Sequence, residues 1–511
     1  MPNKTPAPHS PKQSASPNRS ASDVAVLSFF GRVLTFVGRT MSIGRFGAAN
    51  PLLNAFTYAL HVPQVMFNIV GTALSTVFIP VYNTLLAEEK RGEAKAFIDN
   101  VITIAIVFLL FLASIGIIAA PLVSRIVGGA EFGEPQYLTF SLRVLMPAMV
   151  FFGFGAVFTG LLQSHGRFRL PALVSAPGGI LLILYIVFLG DRFGVTGLLC
   201  ATLLGAAMQP LIMIPAIRSL GYRYSFSLDY KNENIRAAGR LCVPVLVSVI
   251  SYQAHFLFAH SMALRMGYAA VMDYAQQLVQ VFIMIIVLSV AAVYFPKLSA
   301  LWAKADRGEY NAALINAFVY TIFLVLPAAC GLILLRLEIM EFLLDWRGQG
   351  DTQTAGTLMG IYAIGIIATA VREIGDRGFY SMKDSVTPAL FGVTIMAVNI
   401  TVTVLLIPRF GVYTMPIAYT VAAGLGVSGL LARLYRRTRF INRRLLLEIG
   451  KIILAVVIMA GVVLFVRNTL PADNRLLAVA LPALAGAAAY FATARLIRIK
   501  AITEPVKWNA S

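Results

Sequence analysis

The chain has 511 residues, of which 58% are hydrophobic and only 13% charged, and its mean hydropathy is +0.78. Soluble domains carry about twice that charged fraction, so the composition excludes a soluble globular enzyme and points to a polytopic membrane protein. A net charge of +19 does not make it a nucleic-acid binder, because the basic residues sit in short loops between apolar runs, the positive-inside distribution.

In chain order, residues 1–22, "MPNKTPAPHSPKQSASPNRSAS", are rich in Pro, Ser and Lys/Arg and lack the apolar core of a signal peptide, so a disordered cytoplasmic tail is expected. About fourteen apolar runs of spanning length follow, near 24–44, 54–84, 98–124, 138–163, 170–190, 194–217, 239–264, 268–296, 311–334, 355–380, 386–407, 412–434, 450–467 and 475–498. Only helices or closed barrels satisfy their backbone polar groups in lipid, and runs this long are helices. The expected fold is therefore an all-α polytopic membrane protein. An even number of spans puts both termini on one side. Most Lys and Arg fall in the tails and in the loops on that same side, which makes it the cytoplasm. The richest of these loops, "RLYRRTRFINRR" (433–444), would also meet anionic lipid.

The longest polar linker follows the sixth span. Two stretches, "PQVMFNIVGTALSTVFIPVYNTLLAEEKRGE" (63–93) and "QQLVQVFIMIIVLSVAAVYFPKLSALWAKADRGE" (276–309), echo each other from an amide-bearing start to a charged RGE loop. Transporters are often built from such repeats. The division expected is a six-helix lobe over 23–218, a linker over 219–237, a second six-helix lobe over 238–436, a C-terminal helix pair over 437–500 and a short tail over 501–511, with a central cavity between the lobes.

Catalytic signatures are absent from the sequence. There is no phosphate-binding GxxxxGK[ST] loop, no HExxH and no defensible Ser-His-Asp set. Cys200, Cys242 and Cys330 form no CxxC or ligand cluster and read as small core hydrophobes. His255 and His260 share one span but lie five residues apart, on different helix faces, so packed histidines are expected there rather than a metal site. No enzyme activity, cofactor or metal is expected; the expected task is to move something across the membrane.

Charged residues within spans are costly and usually face a wet cavity or a partner. The first span, "GRVLTFVGRTMSIGRFG" (31–47), carries Arg32, Arg39 and Arg45. Arg32 and Arg39 are seven residues apart, about two turns or ~10 Å, and share a face. Arg45 lies off that face near the span's end, where snorkelling to the interface explains it. Paired guanidiniums suit a phosphate or carboxylate ligand, which the planar fork binds bidentately. In the second span Asn54, His61, Gln64 and Asn68 form one polar face, and Asp273, Gln276, Gln277 and Gln280 open the eighth. Each amide alone could be interhelical glue; together, beside the arginine face, they suggest a polar cavity. Near the tenth span's end, Arg372, Glu373, Asp376 and Arg377 can pair at i,i+4 spacing, either as a plain helix end or as an intracellular gate.

The arginine span followed by "NAFTYALHVPQVMFNIVGTALSTVFIPVYNTLLAEE" (54–89), then "LQSHGRFRLPALVSAP" (162–177), "GAAMQPLIMIPAIRSLGY" (205–222) and "VREIGDRGFYSMKDSVTPA" (371–389), resembles the MurJ (MviN) lipid II flippases of the multidrug/oligosaccharidyl-lipid/polysaccharide exporter superfamily. The likeness is collinear from about residue 24 to the final pair of spans. It implies an alternating-access flippase of the bacterial inner membrane, expected to be monomeric and beside the cell-wall synthesis machinery. Its cargo would be an undecaprenyl-pyrophosphate-linked peptidoglycan precursor. A central cationic cavity would bind the headgroup, and the last two spans would form a groove for the lipid tail.

Several cavity positions depart from the family pattern. In "RVLTFVGR" the second arginine comes one place late, as Arg39. Asn54 stands for an acid, Phe67 and Asn68 for two arginines, Thr72 for a glutamate, and Gln276 and Gln277 for an acid and an arginine. Charges of both signs are lost together, which suggests a cavity of lower charge with Arg32 and Arg39 as its main anion contacts. Some members bind sodium in the second half; here Asn399 is kept, but Thr401 and Thr403 stand where a carboxylate would be wanted. Another polyprenyl-linked saccharide, a cation-coupled drug antiporter with Asp273 as its carboxylate, and a non-transporting cell-wall scaffold stay open as alternatives.

Overall fold

The computed structural model describes residues 17–73, 81–82, 84–85, 88, 90–128, 134–222, 224–229, 246, 249–250, 253–344, 351–469 and 474–503. Among them the regular structure is helical. The long helices are α1 (Pro17–Phe46), α2 (Pro51–Ala73), α3 (Arg91–Gly128), α4 (Pro135–Leu145), α5 (Ala148–Ser164), α6 (Ala176–Phe188) and α7 (Gly190–Leu211). Then come α8 (residues 253–265), α9 (Ala269–Ala303), α10 (Arg307–Leu334), α11 (Arg336–Leu344), α12 (Thr352–Ser381), α13 (Val386–Phe410), α14 (Thr414–Thr438), α15 (Arg443–Thr469) and α16 (Arg475–Leu496). The first of these departs from expectation: α1 starts at Pro17, inside the stretch expected to be a disordered tail. Pro is well suited to a helix's first turn, where its missing N–H would have no partner.

Eleven stretches among the described residues are long and apolar enough to cross a membrane, and one, Val386–Thr438, contains both α13 and α14. The expected spans 54–84 and 239–264 lie partly outside the described residues. Large apolar side chains such as Phe111, Ile118, Phe188, Leu405 and Phe465 are exposed, as lipid-facing residues should be.

The helices sort into two sets by contact. In the first, α1 lies on α6, α6 on α7, and α2 and α3 both pack on α4 and α5. In the second, α12 is the hub, touching α9, α10, α11 and α14, while α13 packs on α14. The final pair, α15 and α16, dock together, α15 against α10 and α16 against α11. Glu448 of α15 fastens the pair: it takes Lys451 Nζ at 2.9 Å and the Lys500 amide at 3.0 Å. Close approach within the first set depends on small residues, the usual device where lipid supplies no hydrophobic drive. A Cβ on Gly179 of α6 would stand 2.6 Å from the Thr35 backbone nitrogen of α1.

After the first set the chain folds back over the start of α3. Asn100 exchanges two hydrogen bonds with the backbone of Asp229, Nδ2 donating to its carbonyl at 2.6 Å and Oδ1 accepting from its amide at 3.0 Å. The buried Asp99 carboxylate accepts from Lys95, Ser225 and Tyr222. Burial, and then the bond to this carboxylate, push the Tyr222 phenol well above its ordinary pKa. The part of the linker within the described residues is thus stapled to α3.

Candidate functional site

Among the described residues, contacts between the two sets run from α1 and α2 to α9, from α1 to α11, and from α2 and α3 to α8. They gather at the end of the bundle where α1 turns into α2 and α8 into α9. Two positive-φ glycines, Gly47 (88°) and Gly267 (78°), make those turns. Asn54 of α2 is sealed there at 0% exposure. Its Nδ2 donates to the carbonyls of Ala48 (3.3 Å) and Asn50 (3.0 Å), and its Oδ1 accepts from the Ala270 amide of α9 (2.8 Å). Thr40 of α1 and Tyr274 of α9 share a hydroxyl hydrogen bond of 2.9 Å, and Phe36 stacks on the Tyr274 ring. Arg265, at the end of α8, donates to the carbonyls of Val127 (2.9 Å) and Ile126 (2.6 Å) at the end of α3.

At the centre of these contacts is Asp273, on α9 and only 6% exposed. Arg39 Nη1 reaches its Oδ2 at 3.0 Å, and Gln277 Nε2, one turn along α9, donates to the same oxygen at 2.5 Å. The other oxygen faces two imidazoles: His61 Nε2 of α2 at 2.8 Å and His260 Nε2 of α8 at 3.5 Å. Their rings lie edge to face with centroids 4.5 Å apart. Four side chains, from four helices and both sets, therefore meet at one buried carboxylate.

This corrects several sequence expectations. Arg39 does not present a free guanidinium; it is ion-paired to an acid of the opposite set. Arg32, on the expected shared face, is exposed and makes no ion pair among the described residues. Arg45 pairs with Asp191 at the start of α7 rather than only snorkelling. Asn54 spends both side-chain groups inside the protein and faces no wet space. Asn68 and Gln276 are half-buried, and Gln64 is exposed. His260 belongs to the cluster and His255 does not, while His61 joins it from across the molecule. In α12, Arg372 lies 3.4 Å from Asp376 and Arg377 3.6 Å from Glu373, both within one helix. Asn399 and Thr403 of α13 are buried and hydrogen-bond each other at 3.4 Å.

From the sequence, Asp273 is legible as the acid that opens the eighth span, but its partners are not. The missed signal was that three ionisable side chains, His61, His260 and Asp273, each interrupt apolar runs and each need a partner.

Two internally packed helix sets, joined at one end across a buried charge cluster and carrying an appended helix pair, define a two-lobed membrane transporter. The comparisons narrow this. The family model for the lipid II flippase MurJ matches residues 45–478, and the chain belongs to that family. Among its relatives are the probable lipid II flippase MurJ of Bdellovibrio bacteriovorus, 25% identical over 72% of this chain and 73% of the relative, and the lipid II flippase MurJ of Burkholderia cenocepacia, 23% identical over 77% and 79%. A solved lipid II flippase MurJ in an inward closed conformation superposes with a TM-score of 0.80 at 20% identity, covering 94% of this chain and 99% of the other. An inward-facing multidrug MATE transporter of the MOP superfamily has the same fold at a TM-score of 0.65 and 15% identity, covering 82% and 98%.

Proposed function

We propose that the chain carries lipid II, or a closely similar polyprenyl-pyrophosphate saccharide, from the inner to the outer leaflet of the bacterial inner membrane by alternating access. The cargo is taken from the family and its named relatives. The observation that carries the mechanism is the Arg39–Asp273 pair, which joins the two sets at one end of the bundle. With both termini in the cytoplasm, that end is the outer one. The arrangement is then a transporter shut towards the outside, with its headgroup cavity opening inward between lobes 23–218 and 238–436.

Asp273 and Arg39 belong to opposite lobes, so opening the outer end separates them. Arg39 is then released to a pyrophosphate, whose charge it can meet with bidentate hydrogen bonds. Arg32, Asn68 and Gln276 are the remaining polar contacts proposed for the headgroup path, and the two ion pairs of α12 form its cytoplasmic rim. The chain acts as a monomer beside the cell-wall synthesis machinery and makes no covalent change in its cargo. A cation-coupled drug exporter would want Asp273 as a free carboxylate, whereas Arg39 and Gln277 occupy its Oδ2, which favours the anion carrier.

Complementation of a flippase-depleted bacterium tests this. The chain should restore growth and clear accumulated lipid II, and Arg39→Ala, present in the membrane at wild-type level, should abolish rescue. Full rescue by Arg39→Ala would overturn the role given to Arg39, and failure of the wild-type chain to rescue would favour a non-transporting scaffold.

A further inference from the structure

We infer that His61, His260 and Asp273 form a site for a divalent transition-metal ion of the zinc class, one that ties the two lobes together. The three side chains offer one ligand atom each, all within 4.8 Å of one another, and all three residues are buried. Two nitrogens and one carboxylate oxygen are the donor set that imidazole-preferring divalent ions take.

The orientation of the rings supports this beyond proximity. His260 Nδ1 lies 2.9 Å from the Phe256 carbonyl. A carbonyl only accepts, so Nδ1 carries a hydrogen and is spent there, which leaves Nε2 facing Asp273 Oδ1. An imidazole fixed through its far nitrogen to a backbone carbonyl is the usual outer support of a metal-ligating histidine. Asp273 is held in the same manner: Arg39 and Gln277 engage Oδ2 and turn Oδ1 towards the histidines. His61 Nε2 and His260 Nε2 are both fully buried, yet neither makes a hydrogen bond of acceptable direction. Packed core histidines normally find partners for such atoms. Two ring nitrogens and one carboxylate oxygen thus converge on one point. A single proton bridges only one pair of them at a time, whereas a metal ion joins all three and leaves a fourth position for water. Because His61 lies on α2 and the other two ligands on α8 and α9, a bound ion holds the outer end closed.

The test is a titration of the purified full-length chain in detergent with Co2+, whose visible absorption reports low coordination by nitrogen and oxygen. Wild type should bind a single ion, displaced by Zn2+, and Zn2+ should raise its thermal midpoint. His61→Asn and His260→Asn should each weaken Co2+ binding by roughly tenfold or more and remove the Zn2+ shift, while His255→Asn, outside the cluster, should retain both. Size-exclusion profiles identify any variant that fails to fold, and the wild-type titration stands without them. Absence of Co2+ absorption from wild type at millimolar metal, or binding that survives both cluster substitutions, overturns the site.

Discussion

At the residue scale, the segment "KDSVTP" between α12 and α13 shows how one side chain can fix a helix junction. Asp384 Oδ1 accepts from the Thr387 amide at 2.9 Å and Oδ2 from the Thr387 hydroxyl at 2.8 Å, capping the start of α13. Arg437, at the end of α14, reaches the same carboxylate at 2.8 Å. Burial pushes the Asp384 carboxyl up, but the Thr387 bonds and Arg437 together outweigh it and hold the group below its ordinary value. A carboxyl depressed by folding adds stability that is full above its unfolded pKa of about 3.9 and is lost as pH falls through the lower folded value. Asp384→Ala should therefore cost ~1 kcal/mol at neutral pH, the ordinary worth of such a cap. In thermal unfolding from detergent, the gap between wild type and Asp384→Ala should close as the pH drops below 4. A gap that stays constant with pH would assign the effect to packing rather than to the ionised carboxylate.

At the element scale, the spans were legible because a lipid-crossing helix has to be long and apolar, and that leaves its mark in any window of the sequence. The Asp273 cluster was not legible in the same way. Arg39 and Asp273 are 234 residues apart, and nothing local distinguishes an arginine that meets cargo from one that meets a distant acid. Gln277 looked like a lost arginine, whereas in the fold it orients Asp273. The fit of α1 on α6 was equally hidden, since it depends on what is missing from a glycine. Gly179 admits the α1 backbone, and a Cβ there would lie 2.6 Å from the Thr35 nitrogen and 2.7 Å from the Leu34 carbonyl carbon. Backbone atoms cannot swing aside as a side-chain tip can. Gly179→Leu should cost ~1–3 kcal/mol, the range for overpacking, and lower the midpoint of thermal unfolding. Gly450→Ala on α15, where an added Cβ meets nothing within 4 Å, should leave the midpoint unchanged or raise it, since Ala suits a helix interior better than Gly. Equal midpoints for wild type and Gly179→Leu would mean that α1 is free to move away from α6.

For the whole molecule, the central question is whether the two helix sets separate at the end where they now touch. Asn54 and Ala270 offer a direct handle, because the Asn54 Oδ1 lies 2.8 Å from the Ala270 amide, so the two residues are neighbours across the sets and within the reach that an engineered disulfide tests. In a background with Cys200, Cys242 and Cys330 replaced by Ala, the pair Asn54→Cys and Ala270→Cys should cross-link on mild oxidation. The single substitutions set the baseline, since Asn54→Cys alone removes three hydrogen bonds. Relative to them, the oxidised pair should stop transport and dithiothreitol should restore it. The reduced form then reports a machine whose halves part at this end, and the oxidised form one that is held in the state described above. Transport that continues at the single-mutant rate through a fully formed cross-link would mean that this end need not open. The Arg39–Asp273 pair would then be a permanent strut, and release of Arg39 to an anionic headgroup could not be part of the cycle.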